Sequence, residues 1–225
     1  MKIKFLKAFN GDSILLSYLE DNEKPKNILI DGGIGWTYKN PKGPKGKPQY
    51  NELKDVIDTI RSKSEFIDLL IITHIDKDHI EGILSWFNDD DNADNLVKKV
   101  WFNSGNIISK FLNKPENMDL NHKISNEGSL QTSISNGIEF SKYLSEKGIL
   151  EQRLILQGDI LHFESLKFRI LSPNREKLEK LLIEWRKKEP ELETSKPNDY
   201  SLSLKDHISS DKFEEDSALP NGSSI

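Results

Sequence analysis

The chain has no cysteine, so neither disulfides nor thiolate metal ligands are available to it. No apolar run approaches membrane-spanning length. The opening residues, Met1-Lys2-Ile3-Lys4-Phe5-Leu6-Lys7, break an apolar series with charge, the pattern of a strand rather than of a signal peptide. These absences set a cytoplasmic expectation and remove the membrane as a partner. There is no surplus of positive charge either. A formal net charge of −5 leaves no global electrostatic case for nucleic-acid binding, although a local basic surface stays open. The acidic run Asp89-Asp90-Asp91-Asn92-Ala93-Asp94 lacks the glycine and terminal glutamate of an EF-hand loop and reads as a solvated turn. No internal repeat is apparent. What remains is an ordinary globular composition, and 225 residues are enough to bury one core.

The informative stretch is Ile71-Ile72-Thr73-His74-Ile75-Asp76-Lys77-Asp78-His79-Ile80-Glu81-Gly82, with two His and two Asp between positions 74 and 79. The lead-in Ile67-Asp68-Leu69-Leu70-Ile71-Ile72 is short, branched and nearly continuous, as in a buried strand. A helix from Ile80 to Phe87 follows. A strand stopping at His74 places the next residues at the carboxyl edge of a sheet, where α/β sites are built. Imidazole and carboxylate are the donors that a divalent ion takes. Alternation along the loop points His74 and Asp76 to one side, and Asp78 and His79 are placed to serve a neighbouring ion. The plainer reading is a polar helix cap with incidental histidines; four ligand-type residues directly after an apolar strand weigh against it.

Strands are expected at Ile3 to Phe9, Ser13 to Leu19 and Asn27 to Ile30, the last ending in Asp31-Gly32-Gly33. Residues 35–50 hold three prolines and three glycines, which excludes regular structure. This loop carries Lys39, Lys42, Lys45 and Lys47 beside Trp36, Tyr38 and Tyr50. It is either a substrate-contacting flap, with lysines for phosphates and aromatic faces for bases, or a solvated loop. Leu53, Val56, Ile57 and Ile60 are spaced for one helix face over Asn51 to Lys63. Trp86 and Phe87 read as core. A strand from Val97 to Phe102 delivers Asn103 to the same edge as a lining residue. Helices are expected over Ser129 to Gly148 and Asn174 to Glu189, two short strands between Arg153 and Pro173, and a linker from Pro190 to Pro197.

His74-x-Asp76-x-Asp78-His79 resembles the metallo-β-lactamase signature His-x-His-x-Asp-His, with Asp76 where the second His stands. This variant looks like the branch that includes the nuclease-like domain of ComEC-type DNA-uptake proteins. Gly11-Asp12-Ser13, Ile30-Asp31-Gly32-Gly33 and Asn198-Asp199-Tyr200-Ser201-Leu202 match it in order. The resemblance implies an α/β fold, a metallo-β-lactamase-like αβ/βα sandwich of mixed sheets. It implies His74, Asp76, Asp78 and His79 as metal ligands, Asp78 also orienting the attacking water, and Asp31 supporting the metal loop from behind, with Asp12 a weaker candidate for that role. Asn198 and Ser201 would line the site. The cofactor would be one or two divalent ions, zinc or manganese, with magnesium admissible because Asp76 adds an oxygen donor.

The family also supplies a bridging aspartate and a later histidine, and no residue after Leu204 fills either role except Asp206 and His207, which are poorly placed. Asp159 reads as a turn former, and His122 and His162 as non-ligands. The expectation is therefore an incomplete domain at 1–204, the N-terminal half to two-thirds of the family fold, then a polar tail at 205–225. The site would be finished by a missing half or a second polypeptide, and one sheet face left open. Three functions follow: a metal-dependent phosphodiesterase or nuclease acting on DNA, a small-molecule ester, lactone or amide hydrolase, or a catalytically incomplete scaffold in a larger, for example bacterial defence, assembly.

Overall fold

The computed structural model describes residues 1–112 and 128–194, with backbone alone for 128–132 and 189–194. The chain opens as an antiparallel meander, β1 (Lys2–Phe5), β2 (Ile14–Leu19) and β3 (Pro25–Ile30). A small ribbon, β4 (Lys39–Asn40) with β5 (Gln49–Tyr50), precedes α1 (Glu52–Ser62). Then come β6 (Leu69–Ile71), α2 (Lys77–Asp89), α3 (Ala93–Leu96), β7 (Val100–Trp101), α4 (Gly105–Phe111) and α5 (Gly128–Glu146). The described chain closes with the hairpin β8 (Ile160–Phe163) and β9 (Leu166–Arg169) and with α6 (Arg175–Thr194).

Five strands form one mixed sheet in the order β1-β2-β3-β6-β7, antiparallel up to β3 and parallel from β3 to β7. The fold is thus mixed α/β. Leu29, Leu70, Ile72 and Val100 meet α1, α2 and α5 on one face, through residues such as Leu53, Ile57, Ile80, Ile83 and Phe140. Ile28, Leu69, Ile71 and Trp101 meet Leu161 and Phe163 of the hairpin on the other. Burial on both sides explains why residues 67–72 are apolar almost without interruption. Toward β1 the hairpin no longer covers the sheet. Ile3 and Phe5, paired with Leu16 and Ile14, are 53% and 73% exposed. No helix among the described residues is long and apolar enough to cross a membrane.

Three local expectations are corrected. Residues 35–50 are structured, with 3₁₀ turns at Gly35–Thr37 and Pro44–Gly46 around the β4–β5 ribbon. The Asp89 region is an anchor, not a solvated turn. Asp89 accepts hydrogen bonds from the Tyr38 and Tyr50 hydroxyls and an ion pair from Lys39, and Asp90 binds Arg61 and the Trp86 indole. Finally, α6 continues through Pro190 to Thr194, where a linker was expected. The domain boundary at 204/205 lies outside the described residues.

β3 and β6 are adjacent and parallel, so both deliver their carboxyl ends to one edge of the sheet. Asp31 follows the first and Thr73-His74 the second.

Candidate metal centre

Asp31 is 1% exposed and sits at φ 54°, a left-handed conformation that aspartate tolerates better than most residues. Its N–H donates to the Ile71 carbonyl at 2.9 Å. The two glycines that follow lie directly on α2. Gly32 N–H donates to the His79 carbonyl at 2.7 Å, and Gly82 N–H to that of Gly33 at 2.9 Å. A Cβ on Gly82 would come within 1.9 Å of the Gly32 oxygen, so the turn and the helix meet backbone to backbone. This contact fixes the first turns of α2, and with them His79, against Asp31.

The Asp31 carboxylate organises three donors. Oδ1 accepts the Thr73 N–H at 2.8 Å; Oδ2 accepts the Thr73 hydroxyl at 2.5 Å and lies 2.8 Å from His79 Nδ1. Thr73 Oγ1 is also 3.2 Å from His74 Nδ1. The hydroxyl has a single proton, and that proton goes to Asp31, so His74 Nδ1 must be the donor to Thr73. His79 Nδ1 likewise donates to Asp31. Both imidazoles are therefore held with the proton on Nδ1 and a bare lone pair on Nε2, the form that binds a metal.

The imidazole rings are 3.7 Å apart between centroids. His79 Nε2 is 3.7 Å from Asp78 Oδ2, and His74 Nε2 is 3.5 Å from Asp76 Oδ2. Ligand atoms of His74, Asp78 and His79 lie within 4.8 Å of one another. His74 Nε2 is buried and has no hydrogen-bond partner. Buried polar nitrogens are almost always paired. This one is explained if a cation belongs beside it, and two nitrogens with carboxylate oxygen form a donor set suited to a borderline divalent ion.

The pairing differs from the one expected. His74 groups with Asp78 and His79, while Asp76 stands beside His74 without joining all three. Asp76 is the N-cap of α2; its carbonyl accepts the His79 and Ile80 N–H groups, and its side chain caps nothing. Burial pulls the His79 pKa down, but the Asp31 hydrogen bond and the charges of Asp31, Asp78 and Asp12 outweigh it and hold the pKa above its ordinary value. Asp12 therefore belongs to the electrostatics of the site. Its neighbour Gly11 abuts α2 so closely that a Cβ would lie 1.6 Å from the Asp78 carbonyl oxygen.

None of the other expected residues joins this cluster among the described residues. The Lys39 ammonium is held by Asp89, ten residues beyond His79 on α2 and hence about 15 Å along the helix. Lys42 is exposed on the loop between β4 and β5, its N–H bonded to Asn40. Asn103 is buried, and its amide bonds the Ile155 backbone as both donor and acceptor at 2.9 Å each. Asp159 accepts from Leu156 N–H within its turn. His162 is exposed on β8. His122, Asn198, Ser201, Asp206 and His207 lie outside the described residues. Thr73 is the site residue that sequence reasoning passed over, and Gly11 was read there only as part of the Gly11-Asp12-Ser13 motif, without its contact to α2. A hydroxyl directly before the first histidine was the available signal for Thr73. Comparison of the chain with family models, curated proteins and solved structures gives no match.

Proposed function

We propose that this chain is a divalent-metal-dependent hydrolase with a metallo-β-lactamase-like site, cutting phosphodiesters, with DNA as the substrate class. The observation that carries the reading is the buried Nε2 of His74, which has no hydrogen-bond partner, in a residue whose ligand atoms cluster with those of Asp78 and His79. His74, Asp78 and His79 would hold the ion, with Asp76 completing its surroundings, and Asp31 with Thr73 would keep both imidazoles in register. When bound, zinc or manganese lowers the pKa of a coordinated water and stabilises negative charge on a phosphoryl oxygen. Asp78 is one-third exposed, so its carboxylate is free to orient the attacking water and accept its proton. Lys42, Lys45 and Lys47 make no ion pair among the described residues and remain open to a phosphate backbone.

The test is elemental analysis of the purified chain together with hydrolysis of bis(p-nitrophenyl) phosphate and of single-stranded and duplex DNA, with manganese, zinc and magnesium each supplied. Metal-dependent cleavage lost in Asp78→Ala and His79→Ala is expected. A chain that takes up no divalent ion sinks the reading. A second reading, a metal-bearing module without turnover, is favoured by the donor count, since only three ligands converge among the described residues. Stoichiometric metal with no cleavage of any of these substrates would select it.

A further inference from the structure

Phe9 has φ 63°, a left-handed conformation that costs a bulky aromatic residue and that glycine would adopt freely. Burial compensates only in part, because the residue is 49% exposed. One side of its ring is approached by Lys7, whose ammonium lies 5.0 Å from the ring centroid. The turn around it is not loose. Leu6 N–H donates to the Ser13 carbonyl at 2.8 Å, and the Ala8 carbonyl accepts the Thr37 hydroxyl at 3.1 Å. Two residues on, Gly11 is the residue seated against the Asp78 backbone. Two residues span at most about 7 Å, so the strained aromatic lies within that distance of the glycine that touches α2 at Asp78, beside the candidate metal cluster. A ring held at conformational cost, half in solvent, with an ammonium beside it and a metal site next to it, is arranged for a ligand and not for the fold.

Resting on the phosphodiesterase reading above, we propose that Phe9 is a specificity-determining residue that stacks on the nucleobase adjoining the scissile phosphodiester, with Lys7 placed for the nucleotide's phosphate. Stacking of a base on an aromatic side chain tolerates any base, because each has a π-face. The site would then favour nucleotide esters over alkyl esters without choosing among sequences.

The experiment compares thymidine 5′-(p-nitrophenyl phosphate) with ethyl p-nitrophenyl phosphate under manganese in the wild type, Phe9→Gly and Phe9→Trp. Phe9→Gly should raise KM for the thymidine ester about tenfold more than for the ethyl ester, and leave the kcat ratio of the two unchanged. Phe9→Trp should restore the preference. The melting temperature of Phe9→Gly should equal or exceed that of the wild type, because the strain is released. A lowered melting temperature, or an equal loss on both esters, would overturn the assignment. A readout independent of turnover is the upfield NMR shift of the base protons of thymidine 5′-monophosphate on adding protein. If the wild type cleaves neither ester, the phosphodiesterase reading fails, and the base shift then decides the stacking alone: present in wild type and lost in Phe9→Gly supports it, absent in wild type overturns it.

Discussion

The Asp31 carboxylate can be tested by a change of one heavy atom. Asp31→Asn keeps the size of the side chain, its tolerance of a left-handed backbone and one oxygen to accept the Thr73 N–H. What changes is the second position. An amide NH₂ there faces the Thr73 hydroxyl and His79 Nδ1, both of which donate to Asp31 in the native site. The least costly rearrangement moves the His79 proton to Nε2, so that Nδ1 accepts from the amide. Stability then falls by only about 1–2 kcal/mol, the net loss of one charge-assisted hydrogen bond. Metal affinity should fall much further, by about 10- to 100-fold, because Nε2 no longer offers a lone pair. Asp31→Ala removes all three acceptor contacts and puts a Cβ-only side chain at φ 54°, and should cost about 3–5 kcal/mol. Urea denaturation in chelator measures the first quantity, and calorimetric titration with zinc and manganese the second. An Asp31→Asn protein that keeps its metal affinity within about threefold would refute the tautomer argument.

His74→Leu removes a buried unpartnered nitrogen together with the long Nδ1–Thr73 bond at 3.2 Å, two opposing effects, so metal-free stability should change by no more than about 1 kcal/mol while calorimetry detects no zinc binding; unchanged zinc affinity would refute the role of Nε2. Gly82→Ala should destabilise by at least about 3 kcal/mol in urea, because its Cβ has nowhere to go against the Gly32 carbonyl. Burial raises the Asp89 pKa, but hydrogen bonds from Lys39, Tyr50 and Tyr38 outweigh it and hold the carboxyl below the usual range. Its contribution is therefore complete above the ordinary aspartate pKa and is lost as pH falls through the depressed one. Asp89→Asn should flatten that acid limb by about 1 kcal/mol and speed amide exchange across residues 39–50. Asn103→Ala should cost about 2–3 kcal/mol through its two bonds to Ile155 with no change in zinc affinity, and an unaltered melting temperature would restore it as a candidate lining residue.

What the sequence made legible was local. Leu53, Val56, Ile57 and Ile60 were read as one helix face and are the buried face of α1. The run at 67–72 was read as a buried strand, and β6 lies there with a sheet neighbour on each side. Positions 74–79 could be singled out because strand, ligand-type residues and helix follow one another without interruption. The failures share a cause: they depend on partners far away in the chain. Lys39 looked like a free cation because Asp89, fifty residues on, was read as solvated. The loop at 35–50 looked formless because proline and glycine counts say nothing of two tyrosines reaching an aspartate at the end of α2. Asn103 looked available because its backbone partner at 155 cannot be inferred from spacing. Thr73 was overlooked for a different reason. Its function is to relay one hydrogen bond between an aspartate and a histidine, and a single hydroxyl leaves no pattern.

Charge gives a reason for the site that does not depend on resemblance. Asp31, Asp76 and Asp78 contact the two histidines, Asp12 acts on His79 from nearby, and none of the four is ion-paired to lysine or arginine among the described residues. Such a group of negative charges, partly out of water, is unfavourable unless something positive joins it. Two local responses centre on His79. His79 can take up a proton, which is the direction in which its pKa is already held. Alternatively a divalent cation can enter, for which the Nε2 lone pairs have been left unblocked by the Thr73–Asp31 relay. The first response neutralises one charge and fills one nitrogen, but it leaves His74 Nε2 buried and unpartnered. The second answers both at once. Imidazole nitrogen disfavours magnesium and calcium, and the carboxylates keep the site from being purely a zinc site, so the donor chemistry suits the zinc or manganese proposed above.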